Sequence, residues 1–339
     1  MFQVLCISLN VFLFSQIIYN FSQNQTLIKP VIAFLGGLFL LVNYPVFFLH
    51  QNALSEAVFL FFLLTGFLFF SFYFETEKTR FLIMAALAFG FSVVTRYAAI
   101  VFIPAALLFL LMNRCEAFSS LKERWKESLI FVFLSSLPIF TWLLSNSLLR
   151  GESTNRTLIL NPVTFGHLED LLIVFLDWLQ VPYVNWLSTP LVLLLAGFLC
   201  WALLFSAASS TCKRIVGGLL MCFLAYIAFI FTSISFIDAY TPVDRRILLP
   251  AWLVLFLAVF LLLLEFWNRK VLAVPLMVAL LMVMLVNIGQ TKDQFQESVS
   301  RGIGFLEKGA AQSPLLQLVV QQKKVAGKTK TIYTNAADY

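Results

Sequence analysis

Residues 80–111 read RFLIMAALAFGFSVVTRYAAIVFIPAALLFLL, and the way this run is divided decides the fold. As one straight α-helix it would be about 48 Å long at 1.5 Å per residue. A bilayer core is about 30 Å thick. Arg96 stands near its middle, and a guanidinium keeps its charge at any accessible pH. Charge at membrane depth is expensive and usually has a task. Two short helices, 80–94 and 98–111, turning at Thr95-Arg96-Tyr97, remove both difficulties, with Pro104 loosening the second. The competing division is a single tilted helix that hides Arg96 inside a bundle.

The rest of the chain agrees with a membrane setting. Of 339 residues, 61% are hydrophobic and 12% charged, with mean hydropathy +0.92, whereas soluble domains carry about 25% charged residues. Further apolar runs at about 2–20, 30–49, 53–74, 129–149, 187–208, 214–235, 247–267 and 271–289 are each long enough to span. The expected fold is therefore an all-α polytopic membrane protein. It has about ten transmembrane or half-length helices and an amphipathic helix on the outer face. Residues 1–289 form the transmembrane domain. Residues 290–339 form a polar extracytoplasmic tail, in which Thr331-Ile-Tyr-Thr-Asn335 reads as the first strand of an incomplete soluble α/β segment.

Orientation follows from the most basic loop. Residues 112–128 hold Arg114, Lys122, Arg124 and Lys126, which assigns that loop to the cytoplasm. The Lys213-Arg214 and Arg269-Lys270 loops, Lys78, Arg80 and Lys29 then fall on the same side, but only if 80–111 is split. The opposite side receives residues 43–56, Arg96, 150–186 and 236–246. In 150–186, Leu168, Leu171, Leu172, Phe175 and Leu179 recur at helical spacing against Glu169, Asp170 and Asp177, the pattern of an interfacial helix. Trp178, Tyr183 and Trp186 fit an aromatic belt. The basic pI reflects these loops, so no nucleic-acid partner is expected.

Three short sites meet on the expected outer side. Arg96, with Tyr97, calls for an anion, which a lipid-linked phosphate would supply to a bidentate fork; backbone carbonyls at the turn are the alternative partner. Asp244-Arg245-Arg246 precedes the helix from Ile247, where Asp244 is placed to cap it. One of the two arginines would pair with Asp244 and the other would face a cavity. Glu56 opens the helix 53–74, a position that the helix dipole alone would favour. Asp238 and Tyr240 are weaker candidates. His50 reads as a structural donor, and two His residues are too few for a metal cluster. No Gly-rich phosphate loop, zinc spacing or Ser/His/Asp order is present.

In their order and shared face, Ala53-Leu-Ser-Glu-Ala57, Gly90-Phe-Ser-Val-Val-Thr-Arg-Tyr97 and Asp244-Arg-Arg-Ile-Leu-Leu-Pro250 resemble integral-membrane glycosyltransferases of the C superfamily. That group includes protein O-mannosyltransferases and lipid A aminoarabinose transferases. Ile332-Tyr-Thr-Asn-Ala336 is similar to the start of their small C-terminal domain. The resemblance implies transfer of a sugar from a polyprenyl-phosphate donor to a glycan, lipid or protein acceptor at the extracytoplasmic face of a bacterial inner (plasma) membrane. It implies a carboxylate as general base, with Glu56 and Asp238 as the candidates, and Arg96, Tyr97, Arg245 and Arg246 at the lipid phosphate. No cofactor is certain, and a divalent cation is left open. In the family the base is an Asp in the first outer loop. This chain reads as starting at the second helix and as truncated at both ends, which makes an inactive fragment an expectation. The runner-up is a non-enzymatic polyisoprenoid-lipid binder or carrier.

Overall fold

The computed structural model describes residues 2–21, 27–51, 55–112, 121–150, 160–179, 210–237 and 241–301. The expected helix 187–208, the strand at 331–335 and Asp238 and Tyr240 lie outside them. The chain divides into two compact units, Met1–Gly289 and Gln290–Tyr339. In the second, residues 290–301 are helical.

Among the described residues the first unit is all α. Its helices are α1 (Phe2–Phe21), α2 (Ile28–Val42), α3 (Tyr44–Gln51), α4 (Ser55–Thr76), α5 (Thr79–Thr95), α6 (Phe102–Met112), α7 (Leu121–Arg150), α8 (Phe165–Trp178), α9 (Ser210–Phe236), α10 (Arg245–Glu265) and α11 (Lys270–Arg301), the last running on into the second unit. Six are long and apolar enough to cross a membrane, or seven if the bent pair α2–α3 is one span. The protein is a polytopic all-α membrane protein.

The run at 80–111 is divided as its length requires. Arg96 is extended (φ −149°, ψ 122°) and ends α5. A 3-10 turn, Tyr97–Val101, leads into α6. Pro104 sits in the first turn of α6, where a missing N–H costs little. Ring contacts give the directions. Phe81 lies 5.4 Å from Phe72, and Phe89 5.3 Å from Phe67, so α5 runs antiparallel to α4. Phe102 lies 6.1 Å from Phe67, and Phe109 5.1 Å from Phe74, so α6 runs parallel to α4. The two short helices are therefore a hairpin, and the single tilted helix is excluded.

Helix α7 returns along α5, from Phe131 beside Phe89 to Trp142 beside Tyr97. Gly90 permits this close approach, because a Cβ there would stand 2.5 Å from the Ser135 carbonyl oxygen and 2.9 Å from Pro138. Small residues at such crossings let helices pack where lipid offers no hydrophobic drive.

The run 30–49, expected as one span, is broken. Asn43 is extended (ψ 116°), and α2 and α3 meet at 60°. Pro45 cannot continue α2, since it lacks the N–H and its ring clashes with the preceding turn. Asn43 Oδ1 instead accepts from the Val46 N–H at 3.3 Å, and the Tyr44 N–H donates to Asn287 Oδ1 of α11 at 2.9 Å. The polar groups freed by the break are thus repaired from within the bundle.

Helix α10 is apolar all round, and every residue from Ile247 to Leu264 is buried. A helix of that kind is a core element. Phe256 stacks on Phe39 at 4.5 Å, and Phe260 meets Phe14 at 6.2 Å. Helix α8 forms over Phe165–Trp178, with the Thr164 N–H donating to His167 Nδ1 at its start. Its C-terminal half packs inward. Trp178, expected in the aromatic belt, is fully buried 4.8 Å from Trp252. Leu168, on the expected apolar face, is exposed.

Candidate functional site

The helix directions sort the charges into two ends. The basic segments at Lys29, Lys78-Thr79-Arg80, Lys122–Lys126, Lys213-Arg214 and Arg269-Lys270 all lie at helix starts or turns of one end. At the other end lie the start of α4, the Arg96 break, the C-terminus of α8 and the start of α10.

Glu56 is the centre of that second end. It stands in the first turn of α4 with its side chain 5% exposed. Arg96 Nη1 donates to Glu56 Oε1. Arg246 Nε, from the first turn of α10, lies 3.6 Å from the same oxygen. Ser55 Oγ reaches Oε2 at 3.5 Å, at the edge of hydrogen bonding. Three separate elements thus bring two guanidinium groups to one buried carboxylate oxygen. Burial makes the arrangement strict, because removing one partner from a buried pair leaves an uncompensated charge.

Asp244 sits beside this group. Its Oδ1 accepts from the Ile247 N–H at 2.8 Å as the N-cap of α10, while Oδ2 is 3.9 Å from Arg246 Nε. Arg246 therefore bridges the cap and Glu56. Arg245 turns elsewhere. Its Nη2 donates to Asp177 Oδ1 of α8 at 2.7 Å, its Nε contacts Oδ2, and its guanidinium carbon is 5.5 Å from the centre of the Tyr44 ring. The side-chain exposures of 46% and 25% make this a rim contact. Burial pushes the Asp177 carboxyl above the ordinary carboxylate range, and Arg245 pulls it back only in part. Tyr97 is half exposed and meets Trp142 edge-on at 5.4 Å.

The sequence candidates Glu56, Arg96, Arg246 and Asp244 are thus brought together. Asp177 is the residue whose pairing sequence reasoning missed. The expected partner of one arginine was Asp244 alone, whereas Arg245 reaches 68 residues back along the chain. Complementary charge on an amphipathic helix assigned to the same end was the available signal.

His50 is accounted for by structure. Its Nδ1 hydrogen bonds the Val46 carbonyl at 2.7 Å, and its Nε2 faces Asn10 Nδ2 at 3.0 Å, which also donates to the Ala57 carbonyl at 3.1 Å. This buried network ties α1 to α3 and α4. Among the described residues no three His, Cys, Asp or Glu side chains gather so as to hold a metal ion. The divalent cation left open in the sequence has no such ligand set there.

No curated protein and no solved structure matches the chain. A family model does match, over the stretch that holds Glu56, Arg96 and the α4–α7 hairpins. The match takes in both Ala53–Ala57 and Gly90–Tyr97, where the resemblance was read: residues 2–142 are similar to the dolichyl-phosphate-mannose-protein mannosyltransferase family.

Proposed function

We propose that this protein transfers a sugar from a polyprenyl-phosphate-linked donor to a glycan, lipid or protein acceptor, at the extracytoplasmic face of a bacterial plasma membrane. The observation that carries the reading is the convergence of Arg96 and Arg246 on Glu56 at the end of the bundle opposite its basic loops. The family matched over residues 2–142 uses a lipid-phosphate sugar, and Glu56 and Arg96 lie inside that stretch.

The chemistry needs two things from the protein. As the bond from the sugar's anomeric carbon to the phosphate oxygen breaks, the electron pair stays on that oxygen and the lipid phosphate gains charge. Arg96 and Arg246 are the groups to hold it, by charge-assisted forks that strengthen as charge develops. The acceptor hydroxyl forms the new bond to the anomeric carbon and gives up its proton to a carboxylate. Glu56 is the described carboxylate nearest both arginines. Asp238, the other sequence candidate, lies outside the described residues. Arg245 with Tyr44 and Asp177 forms the rim of this region, and Tyr97 with Trp142 flanks Arg96.

Transfer from a labelled polyprenyl-phosphate hexose, by the purified chain in lipid vesicles, tests this directly. Wild type should transfer, and Arg96→Lys should lose most of the activity because an ammonium cannot reproduce the fork. Equal turnover by Arg96→Lys would sink the assignment. For the face, Thr164→Cys should react with an impermeant thiol reagent applied to intact cells, and Lys126→Cys should not.

One observation favours the non-enzymatic reading. Glu56 Oε1 is occupied by Arg96 and has Arg246 3.6 Å away, so an acceptor hydroxyl does not meet that oxygen in the state described. Donor binding without any transfer, by wild type, would select a lipid binder or carrier.

A further inference from the structure

The ion cluster at the start of α4 raises a question of charge. Glu56 and Asp244 carry two negative charges, and Arg96 and Arg246 carry two positive ones, all within 3.9 Å of a partner. Among the described residues these four charges balance. A sugar phosphodiester brings one more negative charge. Adding it without any release would crowd three anions around two cations at a partly buried site, where like charges repel strongly.

The geometry resolves this in one way. Both guanidinium groups lie against a single oxygen: Arg96 Nη1 donates to Glu56 Oε1, and Arg246 Nε stands 3.6 Å from it at ion-pair distance. A carboxylate oxygen and a phosphate oxygen present the same acceptor to an arginine fork. Asp244 is engaged differently, because its Oδ1 is fixed by the Ile247 N–H as a helix cap. Among the described residues the contact to Glu56 Oε2 is the 3.5 Å one from Ser55. Of the two carboxylates, Glu56 is therefore the one free to leave.

We propose that Glu56 is a resident stand-in for the donor's phosphate: it occupies the Arg96–Arg246 site at rest, is displaced when a lipid phosphate binds, and returns when that phosphate leaves. This rests on the functional reading above and adds a role to it. The stand-in keeps two half-buried arginines paired while the site is empty, which avoids the cost of uncompensated charge. It also ties catalysis to occupancy. Only after the arginines have moved to the phosphate is Glu56 Oε1 released from them, and only then can it meet the acceptor hydroxyl. Displacement opposes binding, so affinity for the donor is lower than the two arginines alone would give, which favours release of the product phosphate.

The test is binding by the full chain in nanodiscs, with farnesyl phosphate and inorganic phosphate as separate probes. Glu56→Gln removes the competing charge and keeps the shape. It should bind farnesyl phosphate about tenfold more tightly than wild type, a difference of about 1.4 kcal/mol, while Arg96→Gln should bind more weakly. If Glu56→Gln does not fold, Glu56→Asp decides. Its carboxylate is one methylene short of the arginines, and its binding should tighten by a smaller factor. Binding by folded Glu56→Gln, or by Glu56→Asp where the amide variant fails to fold, that equals or falls below wild type would overturn the proposal. It would make Glu56 a positioning residue that holds the arginines for the ligand. A gain toward inorganic phosphate without one toward farnesyl phosphate would uphold the exchange and count against the polyprenyl donor. That outcome separates failure of the functional reading from failure of this inference.

Discussion

The two ends of the helix bundle are built from the same residue types and are used differently. Among the described residues one end carries ten Lys and Arg residues against five Glu, clustered around the starts of α2, α5, α7, α9 and α11. Its described side-chain contacts are single pairs between neighbouring helices, such as Thr79 Oγ1 donating to Glu127 at 3.0 Å and Lys29 over the Tyr19 ring at 4.4 Å. The other end has fewer charges among the described residues, drawn into contact from three helices, α4, α8 and α10, and the Arg96 break. The difference teaches that charge at a membrane helix end has two meanings. A surplus of one sign orients the chain in the bilayer. A balanced, buried cluster costs desolvation and folding precision, and a site is what warrants that cost.

The largest effect expected from breaking this contrast is on catalysis. Arg96→Lys should lower transfer by about 100-fold or more, the scale of losing one preorganised charge-assisted donor, with folding retained because an ammonium still neutralises Glu56. Kinetics in vesicles, with thermal unfolding as the control for folding, would check both halves. Glu56→Ala should cost about 3 kcal/mol of stability, since it leaves two partly buried guanidinium groups facing each other; a thermal midpoint equal to wild type would show that water already solvates the cluster.

Gly90 lies in the same motif as Arg96 and positions it through packing. Gly90→Ala forces α7 away from α5 and should cost about 1–3 kcal/mol, with transfer falling as the turn at Arg96 shifts. Chemical denaturation in mixed micelles reads the first quantity.

At the rim, the Asp177–Arg245 pair should matter less, within about 1 kcal/mol. Its pH dependence has a definite sign. The folded state holds the Asp177 proton more tightly than the unfolded chain does, because burial raises the carboxyl's pKa. Its contribution to stability is therefore present at low pH. It is lost as pH rises from the ordinary carboxylate range through the raised value. Asp177→Asn should remove that slope. A slope of opposite sign in wild type would mean that Arg245 outweighs burial. Smallest of all is the basic end. Lys126→Gln, at an exposed position of α7, should leave transfer unchanged and stability within about 0.5 kcal/mol.

How much of this could be read beforehand depended on the kind of signal. The hairpin at Arg96 was legible because two independent constraints, run length and an ionised guanidinium, pointed to the same residue. The break at Asn43 was not legible. Tyr44-Pro45 sits in an apolar run of ordinary spanning length, and a membrane helix can carry a proline as a mild kink, so the proline alone did not announce a 60° break. The repair by Asn287 comes from 243 residues away. The convergence of Glu56, Arg96 and Arg246 on one end followed from counting helices, but their meeting at one oxygen is tertiary geometry. Trp178 was misjudged for a physical reason. A side chain that faces lipid and one that faces another helix are equally apolar, so an amphipathic pattern alone does not tell a belt residue from a core residue. Asn10 and His50 show the same limit, since neither names its partner locally.

The central claim is that the balanced end, and not the basic end, receives the lipid phosphate. Photo-crosslinking with a benzophenone-bearing polyprenyl phosphate, followed by peptide mapping of the full chain in vesicles, compares the two ends in one measurement. The account predicts labelled peptides that contain residues 95–97 and 244–246, with labelling competed by unmodified polyprenyl phosphate and lost in Arg96→Gln. Competable labelling confined to residues 121–127 or 210–214 would contradict it, because the phosphate would then sit at the end whose charge serves only to orient the chain.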